Sequence, residues 1–216
     1  YIALPARFIS RETLLTDEEL EQFALHQYED GTYDEAGGSA ETLFLTSRGG
    51  NRYDRTFMEG FVRPGLDRHN WVCRCNYAAL GVVPTGDDEM SLYVGRHFAQ
   101  SSVHLERLTL RVDGFVSVNA PYGGGEMTSR PFQFEGRELL INYATGAGGF
   151  VQVELQDEAG TPLSGYTRDD SLPSTGDEVE RVVKWKKGSD LSGLEGRSVR
   201  LRFTMGDADL YSIRFR

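Results

Sequence analysis

Between residues 107 and 112 apolar and polar side chains alternate without a break: Leu108, Leu110 and Val112 against Arg107, Thr109 and Arg111. Side chains two apart share one face of a strand, so this run reads as a strand with one buried side. The same period returns at 151–156, where Val151, Val153 and Leu155 oppose Gln152, Glu154 and Gln156, and at Val199, Leu201 and Phe203. Helical periodicity occurs once. Thr16-Asp17-Glu18-Glu19 has the spacing of a capping box, and Leu20, Phe23 and Ala24 then fall on one face, which predicts a short helix over 17–27. The segment 28–40 is rich in Gly and acidic residues and reads as a loop.

From Glu41 onward the chain is a series of short β-prone runs punctuated by Gly, Asp and Asn, with a hairpin signal at Gly86-Asp87-Asp88. The run NAPYGGGEM, with one Pro and three consecutive Gly, marks a junction. About seven strand candidates lie beyond it, spaced by turns such as Glu135-Gly136, Ala159-Gly160 and Glu195-Gly196, with one helical turn at 190–194. The expected fold is all-β in two units, 1–112 and 113–216, the second an antiparallel β-sandwich of jelly-roll type. Val183 and Trp185 alternate with Lys184 and Lys186, so Trp185 is expected in a core or at a domain boundary.

A chain of 216 residues can bury a substantial core as one large or two modest β domains. The net charge of −10 argues against general nucleic-acid binding, because phosphates are repelled. No apolar run reaches the roughly 18 residues needed to cross a bilayer, so no membrane partner is expected. No signal peptide opens the chain, and Tyr1 already stands in what reads as a strand, so a processed or truncated piece is expected. The two cysteines sit in Cys73-Arg74-Cys75, which is not the CxxC spacing of a redox or zinc motif. The four histidines (His26, His69, His97, His104) form no HxH or HExxH pattern, so no metal is expected, nor any other cofactor. Gly146–149 and Gly123–125 are followed by strands, not by a helix N-terminus, and read as turns, not phosphate cradles.

The stretch RPGLDRHNWVCRCNYAALGVVPTGDDEMSLYVGRHF, followed by LTLRVDGFVSV, resembles the last blades of five-bladed β-propeller glycosidases similar to glycoside hydrolase family 32, the invertase and levanase group. The tail from VQVELQDEAG to DADLYSIRF resembles the β-sandwich that follows such propellers. The family's nucleophile motif, Trp-Met-Asn-Asp-Pro-Asn-Gly, is absent here, as are its Arg-Asp-Pro and Glu-Cys motifs. The resemblance therefore implies one or two C-terminal blades over 1–112, without the early blades and most of the catalytic apparatus. It implies the C-terminal portion of a glycoside hydrolase-like protein that acts on or binds a carbohydrate, inactive by itself; the alternative is a non-catalytic carbohydrate-binding or structural β-sandwich module. The expected compartment is secreted or periplasmic. The run TSRGGNRY at 46–53 resembles the Asp-box turn of sialidase-like blades, which makes Ser47 and Tyr53 fold elements.

On that resemblance, sugar binds at the mouth of the propeller, where loops enter the innermost strands, and the segment 57–76 is such a loop. Glycoside cleavage uses two carboxyl groups, which singles out Glu59 and Asp67 as catalytic candidates. Arg63, Arg74 and Asn76 can hydrogen-bond sugar hydroxyls, the Trp71 ring can stack on a pyranose, and His97 can face the channel. The opposing reading of the same charges, Glu59 with Arg63 and Asp67 with Arg68, is a salt-bridged surface loop.

Overall fold

The computed structural model describes all residues except 11, 13, 24–28, 30–36 and 73. The protein is all-β with one short α-helix, and the chain divides into two compact units, Tyr1–Leu110 and Arg111–Arg216.

In the first unit, β1 (Ile2–Ala3) pairs with β4 (Leu45–Thr46), and β2 (Ala6–Ile9) pairs with β3 (Ser39–Thr42). A three-stranded sheet runs β5 (Val83–Pro84), β6 (Glu89–Arg96), β7 (His104–Arg111). The hairpin read at 86–88 joins β5 to β6, closed by the Thr85 and Gly86 amides on the Glu89 carbonyl. Leu108 and Leu110 turn toward a cluster of Val62, Leu92 and Val94. The helix α1 spans Asp17–Gln22, and the capping box is made as read: the Thr16 hydroxyl accepts from the Glu19 amide and the Glu19 carboxylate accepts from the Thr16 amide. Leu20 and Phe23 bury against Leu15, Val72 and Cys75; the expected continuation to 27, with Ala24, lies outside the described residues. A propeller blade has four strands, whereas the largest sheet among the described residues of this unit has three, and they show no closed propeller.

Ser47 behaves as a fold element. Its hydroxyl donates to the Gly49 carbonyl and accepts from the Gly49 amide, both at 3.1 Å, and Thr46 bridges to Asp54 across the turn.

The second unit is one five-stranded antiparallel sheet of β-sandwich-like character. β8 (Val118–Ala120) and β9 (Gly125–Thr128) both pair with β12 (Val199–Phe215); β12 pairs with β10 (Leu139–Asp157), and β10 with β11 (Asp177–Val182). The seven runs expected beyond residue 125 become four strands: two pairs of runs join within β10 and β12, and the run around residues 165–170 forms no strand but a turn with a short 3-10 helix at Arg168–Asp170. Thr145 pairs with Ala208 and Phe150 with Gly206, so residues 146–149 oppose Asp207 alone. This is a wide bulge and not a reversal. Glycine is needed because the chains close up: a Cβ on Gly149 would strike the Asp207 carbonyl, and one on Gly146 the Asp207 carboxylate. Asp207 itself sits at φ 44°.

One face of β10 and β12 carries Leu139, Ile141, Tyr143, Val151, Val153, Leu155, Leu201, Phe203 and Met205 into the core. The connections supply the opposing layer with Tyr166, Val183, Trp185, Leu191 and Leu194. The Asp157 and Asp170 carboxylates, which could have been ion ligands, close their own turns on Thr161 and Thr167.

Trp185 is 1% exposed, donates its indole N–H to the Val153 carbonyl at 2.8 Å and meets Tyr166 edge-on at 5.3 Å. Trp185→Ala is expected to destabilise the protein by about 3–5 kcal/mol, the cost of a large buried cavity. Denaturant melts followed by circular dichroism measure it, and a loss under about 1 kcal/mol would deny Trp185 its place in the core.

Candidate functional site in the first unit

The loop between β4 and β5 is fixed from inside by one amide. Asn76 is fully buried at φ 68°, a left-handed conformation that Asn tolerates better than most residues. Its Nδ2 donates to the carbonyls of Ala40 (2.9 Å) and Asn70 (3.0 Å), and its Oδ1 accepts from Arg96. Its backbone amide reaches Gly95 and its carbonyl accepts from the Thr42 hydroxyl. The sequence reading gave Asn76 to substrate; the structure spends its hydrogen bonds on three segments of the unit.

The other predicted residues separate into groups. Arg63 and Trp71 come together on the wall of a pocket of about 370 Å³ lined also by Arg7, Ile9, Glu41 and Pro64. Trp71 packs partly on the α1 cluster and donates its indole N–H to Gly65 at 3.0 Å, which fixes the ring edge. Arg63 is held at its Nε by the Gly60 carbonyl at 3.2 Å. Arg7 and Glu41 are register partners across β2 and β3 and form an ion pair. The Glu41 carboxylate lies so close over Gly60 that a Cβ there would overlap it. Opposite charges facing each other across a strand pair would have signalled this pairing, but 34 residues separate the two and no local pattern links them.

Asp67 and His97 form a second group, with His69. Asp67 caps the 3-10 turn Arg68–Trp71 by accepting the His69 amide at 3.0 Å. Its two oxygens also meet His69 Nδ1 at 2.9 Å and His97 Nε2 at 2.8 Å. The His69 and His97 rings stack at 4.7 Å, His69 lies on Phe23 at 3.9 Å, and the edge of His104 packs on His97 at 4.7 Å. Partial burial works to raise the Asp67 carboxyl, but the hydrogen bonds from His97 and His69 outweigh it and hold it at about 2. Behind this group, Cys75 accepts the Phe98 amide at 3.0 Å, and burial pushes its thiol above the ordinary value. No spacing rule finds Asp67, His69 and His97, because the third residue arrives from the far end of β6.

Glu59 is exposed and holds no ion pair among the described residues; Arg74 is exposed with its guanidinium 5.6 Å from the Phe98 ring centre. Arg68, read as a partner for Asp67, pairs with Glu19 at 2.7 Å instead, and its hydrogen bond holds the Glu19 carboxyl at about 2. His26 and Cys73 lie outside the described residues. Among the described residues no helix is long and apolar enough to cross a membrane. No protein family, curated protein or solved structure matches this chain.

Two outcomes are expected. Asn76→Ala leaves buried carbonyls unpaired at about 1–3 kcal/mol each and adds left-handed strain. It should cost about 3 kcal/mol or more and exceed Asn76→Gly by roughly 1 kcal/mol, because glycine keeps the backbone at no penalty. Chemical denaturation of both variants checks the order, and equal losses would remove the strain argument. The second outcome concerns acid. Asp67 falls from an ordinary 3.8 to about 2 on folding and Glu19 from 4.5 to about 2. Depressed carboxyls stabilise the fold above their unfolded values, and that contribution disappears as pH drops through the folded ones. The stability gap between the native chain and Asp67→Asn should therefore be present at pH 5 and close between about pH 4 and pH 2; a gap that is flat over that range would contradict the assigned pairing.

Proposed function

We propose that this chain is the carbohydrate-binding C-terminal portion of a glycoside hydrolase-like protein, and that sugar binds in the pocket walled by Trp71 and Arg63. The observation that carries the reading is the pocket itself: about 370 Å³, within the range of small-ligand sites, with an indole, a guanidinium and an ion-paired carboxylate on its walls. The C–H face of a pyranose or furanose ring is apolar and suits the Trp71 indole, while its hydroxyls suit fixed charged donors and acceptors. The Arg7–Glu41 pair offers both, already paired and therefore already oriented.

Binding fits this pocket better than cleavage. Hydrolysis of a glycoside needs two carboxyl groups, about 5–5.5 Å apart to retain configuration or about 6.5–9.5 Å to invert it. Among the described residues that line it, Glu41 is the one carboxylate. Cleavage by the whole glycosidase-like protein, with a propeller completed by further blades, is the larger reading that the sequence resemblance supports.

An oligosaccharide array that includes fructans, probed with the chain and followed by calorimetry on the best glycan, tests the proposal. Trp71→Ala and Arg63→Ala should each weaken binding at least tenfold, about 1.4 kcal/mol, with the melting transition of the second unit unmoved. Absence of any bound glycan, or equal affinity in both variants, would return the loop to a structural role.

A further inference from the structure

The Asp67, His69 and His97 group carries an inference that goes beyond sugar binding. Each residue offers one ligand atom, and these atoms all lie within 4.8 Å of one another. The three come from two separate places, the turn Arg68–Trp71 with its cap and the end of β6, and both places are held. The Asp67 carboxylate is anchored by the His69 amide. The His69 ring lies flat on Phe23. The His97 ring is held at its second nitrogen, Nδ1, by the Ser102 hydroxyl at 2.9 Å. A hydrogen bond on the far nitrogen is what orients a metal-binding imidazole and fixes which nitrogen faces the ion. His97 also keeps φ 53°, a left-handed value rare for a residue with a side chain.

We propose that His69 Nδ1, His97 Nε2 and an Asp67 oxygen bind one divalent first-row transition ion, with Zn²⁺ the best fit. Two neutral imidazoles and one carboxylate are borderline N/O donors, which suit such ions; Ca²⁺ and Mg²⁺ take all-oxygen sites. Tetrahedral ligands at about 2.0–2.1 Å from Zn²⁺ lie roughly 3.3–3.4 Å apart. Asp67 Oδ1 lies 2.9 Å from His69 Nδ1 and Oδ2 lies 2.8 Å from His97 Nε2, so a turn of the carboxylate brings one oxygen between the two nitrogens, and the three ligand atoms, now within 4.8 Å of one another, close in to that spacing around one ion. Binding replaces the two protons that now bridge the carboxylate to the imidazoles, and each neutral ring then carries its proton on the other nitrogen: His97 on Nδ1, which donates to Ser102, and His69 on Nε2. Cys75 stays outside the ligand set, since its sulfur is engaged by the Phe98 amide and the His69 carbonyl. Three protein ligands leave a fourth position for water or a ligand oxygen, the arrangement of an open site and not of a closed structural one.

The competing account is a plain hydrogen-bonded trio in which one carboxylate accepts from two neutral imidazoles. The two differ in one measurement. The untagged chain, stripped with chelator and dialysed, is titrated with ZnCl₂ by calorimetry, and with CoCl₂ for the visible bands of a four- or five-coordinate ion. One ion per chain is expected. Asp67→Asn, close to isosteric, and His97→Ala should each weaken Zn²⁺ at least tenfold, and Ser102→Ala should weaken it as well. Zn²⁺ should raise the melting temperature of the native chain and not that of Asp67→Asn, because only a form that binds is stabilised by mass action. No stoichiometric binding, or affinity equal to the native chain's in Asp67→Asn or His97→Ala, would overturn the assignment. None of these readouts involves sugar, so the two proposals stand or fall separately.

Discussion

The Asn76 amide holds the first unit together. Three strands of that unit, β1, β4 and β5, are only two residues long and the pair β2–β3 only four, and such fragments do not stay in place through ladder hydrogen bonds alone. Asn76 donates to β3 at Ala40 and to the 3-10 turn at Asn70, and accepts from β6 through Arg96. The pocket and the histidine group both depend on those segments. The pocket takes one wall from β2 and β3 and the other from residues 63–71; the histidine group takes Asp67 and His69 from the same loop and His97 from the residue after β6. A buried polar network of this sort is costly when half satisfied and specifies one arrangement when complete. The loop between 57 and 76 is dense in charged and aromatic residues because it both reaches solvent and clamps a small core.

The second unit depends on a different constraint, the close approach of β10 and β12 at residues 146–149 and Asp207. Two strands of 19 and 17 residues would carry one flat, unbroken ladder if nothing interrupted them. The four-against-one bulge interrupts it without ending the pairing, and bulges bend and twist the strand that carries them. The face that enters the core stays continuous across the break, from Tyr143 to Val151 on one strand and from Met205 to Ala208 on the other. Trp185 then fills the space beneath Val153, its N–H satisfied by that residue's carbonyl.

Period-two alternation was the most legible feature of the sequence. It placed Val151, Val153, Leu155, Val199, Leu201 and Phe203 inward, and each is at most 1% exposed. Trp185 and the capping box at Thr16 were equally readable, because both are local patterns with one physical solution. Glycine was read less well. In 146–149 it signals a turn by composition, yet its function is close backbone approach, and only the partner strand reveals which. The site was partly legible. Chemistry pointed to the loop 57–76, and Arg63 and Trp71 line the pocket while Asp67 and His97 meet in the histidine group. Chemistry alone could not divide them, because the division depends on Arg7, Glu41 and on His97 reaching back to Asp67 across 30 positions. Asn76 looked like a ligand-binding amide for the same reason that it is a good internal clamp: two donors and an acceptor on a short stem.

The electrostatics of Asp67 narrow what the loop can do. A general acid in glycoside cleavage needs a carboxyl raised toward neutrality so that it carries a proton to the leaving oxygen. Asp67 is pulled the other way, to about 2, by two imidazole hydrogen bonds. It therefore stays an anion below the pH at which an ordinary aspartate takes up its proton. A fixed anion can accept hydrogen bonds, attack as a nucleophile or ligate a cation; it cannot donate a proton. Of these, ligation uses the geometry most completely, since the same two histidines that keep Asp67 ionised present nitrogens to the two oxygens of one carboxylate. An ion bound there would neutralise the carboxylate and remove it from acid–base duty altogether. The proposed sugar site then rests on the Trp71 pocket, where Glu41 supplies a carboxylate and Arg7 its partner, and the proposed ion site rests on Asp67, His69 and His97, so the two draw on separate residues of the loop.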